Sequence, residues 1–142
     1  MIELTVSGFV ELEQALLKLP GEVGGRVLDR ALRKGGAPME GAAQQGAPRS
    51  SNPGPNGHMA DTIKLRKLPR TTDANLEAHL WLGPDSDHFY GLFGEFGTVH
   101  QTATPFMRPA FDQHVQETVT ILGKELWAGI ERAAKKYNRR RS

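Results

Sequence analysis

Apolar and polar residues alternate at the start of the chain: Ile2, Leu4 and Val6 are separated by Glu3 and Thr5, the period of a half-buried strand. Phe9, Leu12, Leu16 and Leu19 then step by three and four. This predicts a helix capped at Ser7, with Glu11 and Glu13 near its positive end and Pro20 as its stop. A second helical stripe begins near Glu22 and passes through Leu28, Leu32, Gly35, Met39, Ala42 and Ala43. Pro38 removes a backbone donor there, so a kink or break is expected near Ala37. The small residues Gly35, Ala42, Ala43 and Gly46 let another backbone approach closely. That backbone belongs either to the same chain, making this a packed internal helix, or to a neighbouring subunit.

Residues 46–60 hold Pro48, Pro53 and Pro55 among Ser, Asn and Gly, a composition that cannot build a core and reads as a mobile loop. Ile63, Leu65 and Leu68 alternate with Lys64, Arg66 and Lys67. Beyond the turn material of Pro69 to Asn75, Leu76, Ala78, Leu80 and Leu82 alternate with Glu77, His79 and Trp81. The simplest pairing is an antiparallel hairpin, with Glu77 opposite the cations of the first strand. Trp81 falls on the polar face, where it is either covered by a helix or exposed as an interface anchor. Near the end, Phe111, Val115, Val119, Leu122, Leu126, Ile130 and Ala134 predict a helix from Pro109 to about Tyr137. Trp127 lies off its main stripe. The elements together predict an α+β fold: a small antiparallel sheet flanked by helices, with a long C-terminal helix.

The least generic stretch is Phe89 to Phe111, FYGLFGEFGTVHQTATPFMRPAF. Phe89, Leu92, Phe93 and Phe96 share one face of a short helix, predicted to pack, with Ser86 and Asp87 available to cap its start. Gly97 stands where a helix ends on a positive-φ residue, followed by a turn at Thr98. Glu95 sits beside the packed face and needs hydrogen-bond donors or a cation to offset desolvation. Arg108 is the nearest cation; backbone amides are the alternative. A residue before proline avoids the helical region, so Arg108 is expected to be extended, with Pro109 at the first helical position.

Glu95-Phe96-Gly97-Thr98, followed by a polar loop, Pro105-Phe106-Met107-Arg108-Pro109-Ala110-Phe111 and a long amphipathic helix, resembles the signature of the phage tail-completion (neck) family. Gly57-His58-Met59-Ala60-Asp61-Thr62-Ile63 is similar to that family's glycine-hydrophobic-x-aspartate-hydroxyl-isoleucine segment. The likeness spans nearly the whole chain as one domain, residues 1–137, with a basic tail at 138–142. It implies a structural protein of the virion, assembled in the host cytoplasm, with neither catalytic residues nor a cofactor. Copies would form a homo-oligomeric ring of six around the DNA channel, between the head-side connector and the tail terminator or tail tube proteins.

Composition narrows the field further. In a chain of 142 residues, 38% are hydrophobic and 24% charged, as in an ordinary soluble domain, and with no cysteine there is no disulfide or thiolate metal site. No apolar run nears the roughly 20 residues that cross a bilayer, and Met1-Ile2-Glu3-Leu4 does not open a signal peptide. No membrane association is expected. The net charge is +2, yet residues 132–142 carry six of the 18 basic residues and none of the 16 acidic ones. Lys135, Lys136, Arg139, Arg140 and Arg141 therefore either complement a fraying helix end or contact DNA or an acidic partner. A nucleic-acid-binding protein using this tail is the alternative reading. A metal-dependent hydrolase using His58, His88, Glu95 and His100 is a third, without the His-x-x-x-His or His-Glu-x-x-His spacing that such sites use.

Overall fold

The computed structural model describes residues 10–68 and 78–141. The strand expected at Ile2 to Val6, the Ser7 cap and the pairing of Glu77 lie outside these residues. The described elements are helices α1 (Val10–Leu17), α2 (Gly21–Gly46) and α3 (Met59–Thr62), strands β1 (Lys64–Lys67) and β2 (Leu80–Gly83), a 3-10 turn (Ser86–His88), and helices α4 (Gly91–Phe96) and α5 (Met107–Arg141). The fold is α+β, mostly helical, with a two-stranded antiparallel sheet and a long C-terminal helix. No helix among the described residues is long and apolar enough to cross a membrane.

The residues gather into two compact units. One takes the chain up to Gly35 and from Val119 onward; the other takes Gly36–Leu68 and Leu80–Thr118. In the first, Leu12 and Leu16 of α1, Ala31 of α2, and Leu126 and Ile130 of α5 form a buried cluster, joined at its edge by Leu19, Val27, Leu28 and Leu122. Apart from Ala31 and Val27, these are positions that the helical stripes mark, and burial of the cluster is the main force holding the unit together. Gly129 gives Val27 room: a Cβ there would lie 2.7 Å from a Val27 methyl. Lys34 pairs with Glu125 at 3.2 Å.

The second unit is built on Ala43, Ala47, Met59, Ala60, Ile63, Phe106 and Ala110, all buried, with Ala42, Leu82 and Met107 packed against them. The small residues of α2 are therefore used within the chain. Ala43 and Gly35 are buried, so neither belongs to an outer interface, and Ala42 is half covered by its own core. Met59 and Ala60, which composition assigns to the loop, begin α3 and are buried in this core. Between α2 and α3 the loop is pinned at its charge: Arg49 reaches Asp61 at 2.8 Å.

β1 and β2 pair in the register Lys64 with Gly83 through Lys67 with Leu80, so Leu68 and Ala78 fall outside the ladder. The free side of β1 is met by side chains of α2. The Leu65 amide donates to Glu40 at 2.7 Å, and the Gln44 amide group donates to the Ile63 carbonyl at 2.7 Å. Arg66 donates to the carbonyls of Gly83 and Thr62, at 2.7 and 2.8 Å.

Three expectations are corrected: a break in α2, an extended Arg108 and an end of α5 near Tyr137. α2 runs unbroken through Pro38. The missing hydrogen bond is one loss in a 26-residue helix, and burial of Ala31 before it and of Met39 and Ala43 after it holds the helix on both sides. α5 begins at Met107, so Arg108 is helical although a proline follows it, and the helix runs to Arg141, beyond the expected end near Tyr137. After Gly129 its sequence has no glycine or proline, and the closing cations suit the negative end of the helix dipole, so nothing stops it at 137. At 1.5 Å per residue its 35 residues span roughly 50 Å.

Candidate functional site

The helical start of Arg108 has a specific cause. One Glu95 oxygen accepts the amides of Phe106 at 2.7 Å and Met107 at 2.9 Å; the other accepts the Arg108 amide at 3.0 Å. A helix leaves its first four amides without internal partners. Here three go to Glu95 and the fourth position, Pro109, has no amide. The account closes, and a carboxylate at the positive end of a 35-residue helix adds a favourable dipole interaction. Of the two partners open to Glu95 in the sequence, the structure selects the amides. The Arg108 side chain is exposed.

The other end of the connection is held by Gly97. It caps α4 at φ 75 and ψ 172, and its amide donates to the Phe93 carbonyl at 2.9 Å. Thr98 and Gln101 then exchange backbone hydrogen bonds across a tight turn, the Thr98 hydroxyl accepts from His100 at 3.2 Å, and the Thr104 amide returns to Gly94 at 2.8 Å. Pro105 is exposed, and Phe106 behind it is buried at the foot of α5. The motif residues Glu95, Phe96, Gly97, Thr98, Pro105, Phe106, Arg108 and Pro109 thus form one continuous backbone clamp.

The apolar stripe turns out differently from expectation. Phe89, Leu92, Phe93 and Phe96 do not pack into the core; Phe96 is 76% exposed and Val99 98%. Only Gly91–Phe96 is α-helical, and Ser86 and Asp87 form the 3-10 turn ahead of it rather than a cap. The helical spacing is real, but the face it makes points to solvent. Phe89 stacks edge-on with Tyr90 and with Phe93, at 6.3 and 6.4 Å between ring centres. Between Phe89 and Met107 the sequence has no Asp, Lys or Arg, and its one Glu, Glu95, is occupied by the clamp. The result is an uncharged aromatic surface. A cleft of about 500 Å³ adjoins it, lined by Pro53, His58, Tyr90, Phe93 and Gln101 among others. Trp81 and Trp127 are also close to half exposed, Trp81 with the Arg66 guanidinium 5.8 Å from its ring centre.

His88 is the residue that periodicity did not single out for structure. It is 2% exposed, bonds the Asp85 carboxylate through Nδ1, faces the Gly57 carbonyl with Nε2 at 3.4 Å, and meets the Tyr90 ring edge-on. It ties the end of the proline-rich loop to the segment that leads into α4. The Asp85 hydrogen bond raises its pKa above the usual 6.5, opposed by burial and helped by the Gly57 carbonyl; the same bond lowers Asp85 below 3.8. Only the imidazolium donates from both nitrogens. Its contribution to stability is complete below pH 6.5 and is lost as pH rises through the raised value. The Asp85 contribution is complete above 3.8 and is lost as pH falls through the lowered one. Wild type minus His88→Gln in melting temperature is therefore expected to be largest between about pH 4 and 6.5 and to shrink in mildly alkaline buffer, as thermal melts across pH will check. A difference that grows with pH contradicts this assignment.

The structure does not assemble the residues of the hydrolase reading. His88 and Glu95 have the partners given above, His100 is exposed, and no group of three His, Asp or Glu that could hold a metal exists among the described residues. Lys135, Lys136, Arg139 and Arg140 are exposed on the last turns of α5, which carry the backbone of Arg141 as well.

Comparison with known proteins returns no family model, no curated protein and no solved structure that matches this chain. The resemblance to tail-completion proteins accordingly rests on the motif residues themselves.

Proposed function

We propose that this chain is a structural, non-catalytic protein of phage morphogenesis. It completes the joint between head and tail as a ring of identical copies around the DNA channel, with the head-side connector on one side and the tail terminator or tail tube on the other. The observation that carries the reading is the pairing of a rigid clamp with a sticky surface: Glu95 is spent on backbone amides, while Phe89, Leu92, Phe93 and Phe96 at α4 and Val99 in the turn after it are displayed to solvent. An enzyme site gathers polar groups in a cleft, whereas an assembly surface presents apolar side chains on a fixed frame. A closed ring needs contacts between two unlike patches, and Trp81 and Trp127, each exposed on its own unit, are separate candidates for the anchor of the second one.

Light scattering and negative-stain microscopy test this, on the chain alone and mixed with the products of its neighbouring genes. Rings are expected in one of the two. The double substitution Phe93→Ser and Phe96→Ser is expected to weaken ring formation by at least about 30-fold per buried anchor while leaving thermal stability close to wild type. Unchanged rings in the double variant would remove this surface from the interface. A monomer indifferent to every neighbour would overturn the ring.

A further inference from the structure

The last turns of α5 continue as helix through the basic segment, and this changes what the cations are. Arg132, Lys135, Lys136, Arg139 and Arg140 stand at i, i+3, i+4, i+7 and i+8, which at about 100° per residue confines them to an arc of roughly 140°. All five are exposed, and none makes an ion pair among the described residues. Ala133 and Ala134, half buried, lie outside the arc. Glu131 stands at its edge, beside Lys135, and no acidic residue follows it.

Complementing the helix dipole explains only part of this. That effect fades within the last turn, which leaves Arg132, Lys135 and Lys136 unaccounted for. The spacing supplies another reason. Neighbouring cations on the stripe are separated by about 4.5 to 6 Å along the axis. Duplex DNA presents one phosphate per roughly 3.4 Å of axis on each strand, a repeating charge that such a row can follow over several contacts. A folded acidic protein offers carboxylates at irregular intervals and needs a shaped surface to match. This stripe has no aromatic or amide side chain within its arc to supply such a shape, nor one to read base edges.

We propose that the C-terminal turns of α5 are a sequence-independent contact for the phosphate backbone of double-stranded DNA, with Arg132, Lys136 and Arg139 at the centre of the contact and Lys135 and Arg140 at its edges. The contact needs no ring and belongs to the single chain. It can stand if the ring fails, and the ring can stand without it.

Fluorescence anisotropy of the full chain with two labelled 30-base-pair duplexes of unrelated sequence, titrated from 50 to 200 mM salt, provides the test. Both duplexes are expected to bind alike. With five phosphates engaged, affinity falls on the order of 500-fold across that range, a log-log slope of about −4.5. The triple substitution Arg132→Gln, Lys136→Gln and Arg139→Gln is expected to reduce the slope by about 2.7, the double change Arg132→Lys and Arg139→Lys with Lys136 kept is expected to preserve it, and Lys18→Gln with Arg26→Gln and Arg30→Gln is expected to leave it unchanged. Circular dichroism confirms that each variant keeps its helix. Wild-type slope in the first variant overturns the proposal. So does binding to polyglutamate, or to anionic phospholipid vesicles, that is as tight as binding to DNA at equal salt.

Discussion

Replacing Glu95 with alanine is expected to lower the melting temperature by roughly 10 °C, corresponding to about 3 kcal/mol. Three amides lose their acceptor at once. Hydrogen bonds to a charged group contribute about 1.5–3 kcal/mol each when removed singly, but here water can reach part of the opened site, and the Arg108 amide lies on its exposed side. A helix cap is ordinarily worth about 1 kcal/mol, and this one also places a full charge at the positive end of α5. Glu95→Gln keeps one carbonyl oxygen and loses the charge, so it is expected to cost about half as much. Thermal melts of the two variants check the order. If alanine and glutamine are both indistinguishable from wild type, the clamp does not hold the foot of α5. The same variants bear on assembly, because a loosened clamp lets the Phe93 and Phe96 face wander relative to its frame. The proposed ring is then expected not to form at temperatures where the chain is still folded.

Gly97→Ala is expected to be of similar severity, about 3 kcal/mol, for a different reason. Its backbone, at φ 75 and ψ 172, lies in a region essentially confined to glycine, and occupying it with any other residue costs on the order of 1–3 kcal/mol. A Cβ would also come within 2.9 Å of the Ala103 nitrogen and 3.0 Å of the Gln101 carbonyl oxygen, both backbone atoms that cannot swing aside. Gly54→Ala is the control. That residue also has positive φ, at 70, yet nothing lies within 4 Å of the added atom, so only the conformational cost of about 1 kcal/mol remains. Denaturant unfolding of the pair separates strain from collision. Equal losses at the two positions would show that the close approach at Gly97 does not matter.

How far the sequence discloses this molecule differs from segment to segment. The helical stripes of Leu12 and Leu16 and of Leu126 and Ile130 mark residues that form the core of the first unit, because a 3.6-residue period groups them on one face of each helix. The hairpin of β1 and β2 follows from alternation in the same way. Pro38 misleads because a proline reports the cost of one lost hydrogen bond and not the packing that outweighs it. Arg108 misleads likewise: the pre-proline penalty is local, while the acceptor that offsets it comes from Glu95, thirteen residues back. The aromatic stripe is legible as a face but not as an outward one. Periodicity gives the direction in which side chains group and is silent on whether that face is covered by the same chain, another chain or water. The basic segment shows the reverse. Its charge is evident in composition, yet its arrangement into a stripe appears only once the helix is known to continue to Arg141.

The side chains of Glu40 and Gln44, which occupy the open flank of β1, bear on how such a protein stays in solution. A molecule that displays several bare aromatics is at constant risk of precipitating, and unpaired strand edges are the usual seeds of that process. Here the backbone groups of Leu65 and Ile63 on that flank are already taken by α2. On this flank of β1 a chance encounter between copies therefore finds neither the Leu65 amide nor the Ile63 carbonyl free to begin a ladder of strands.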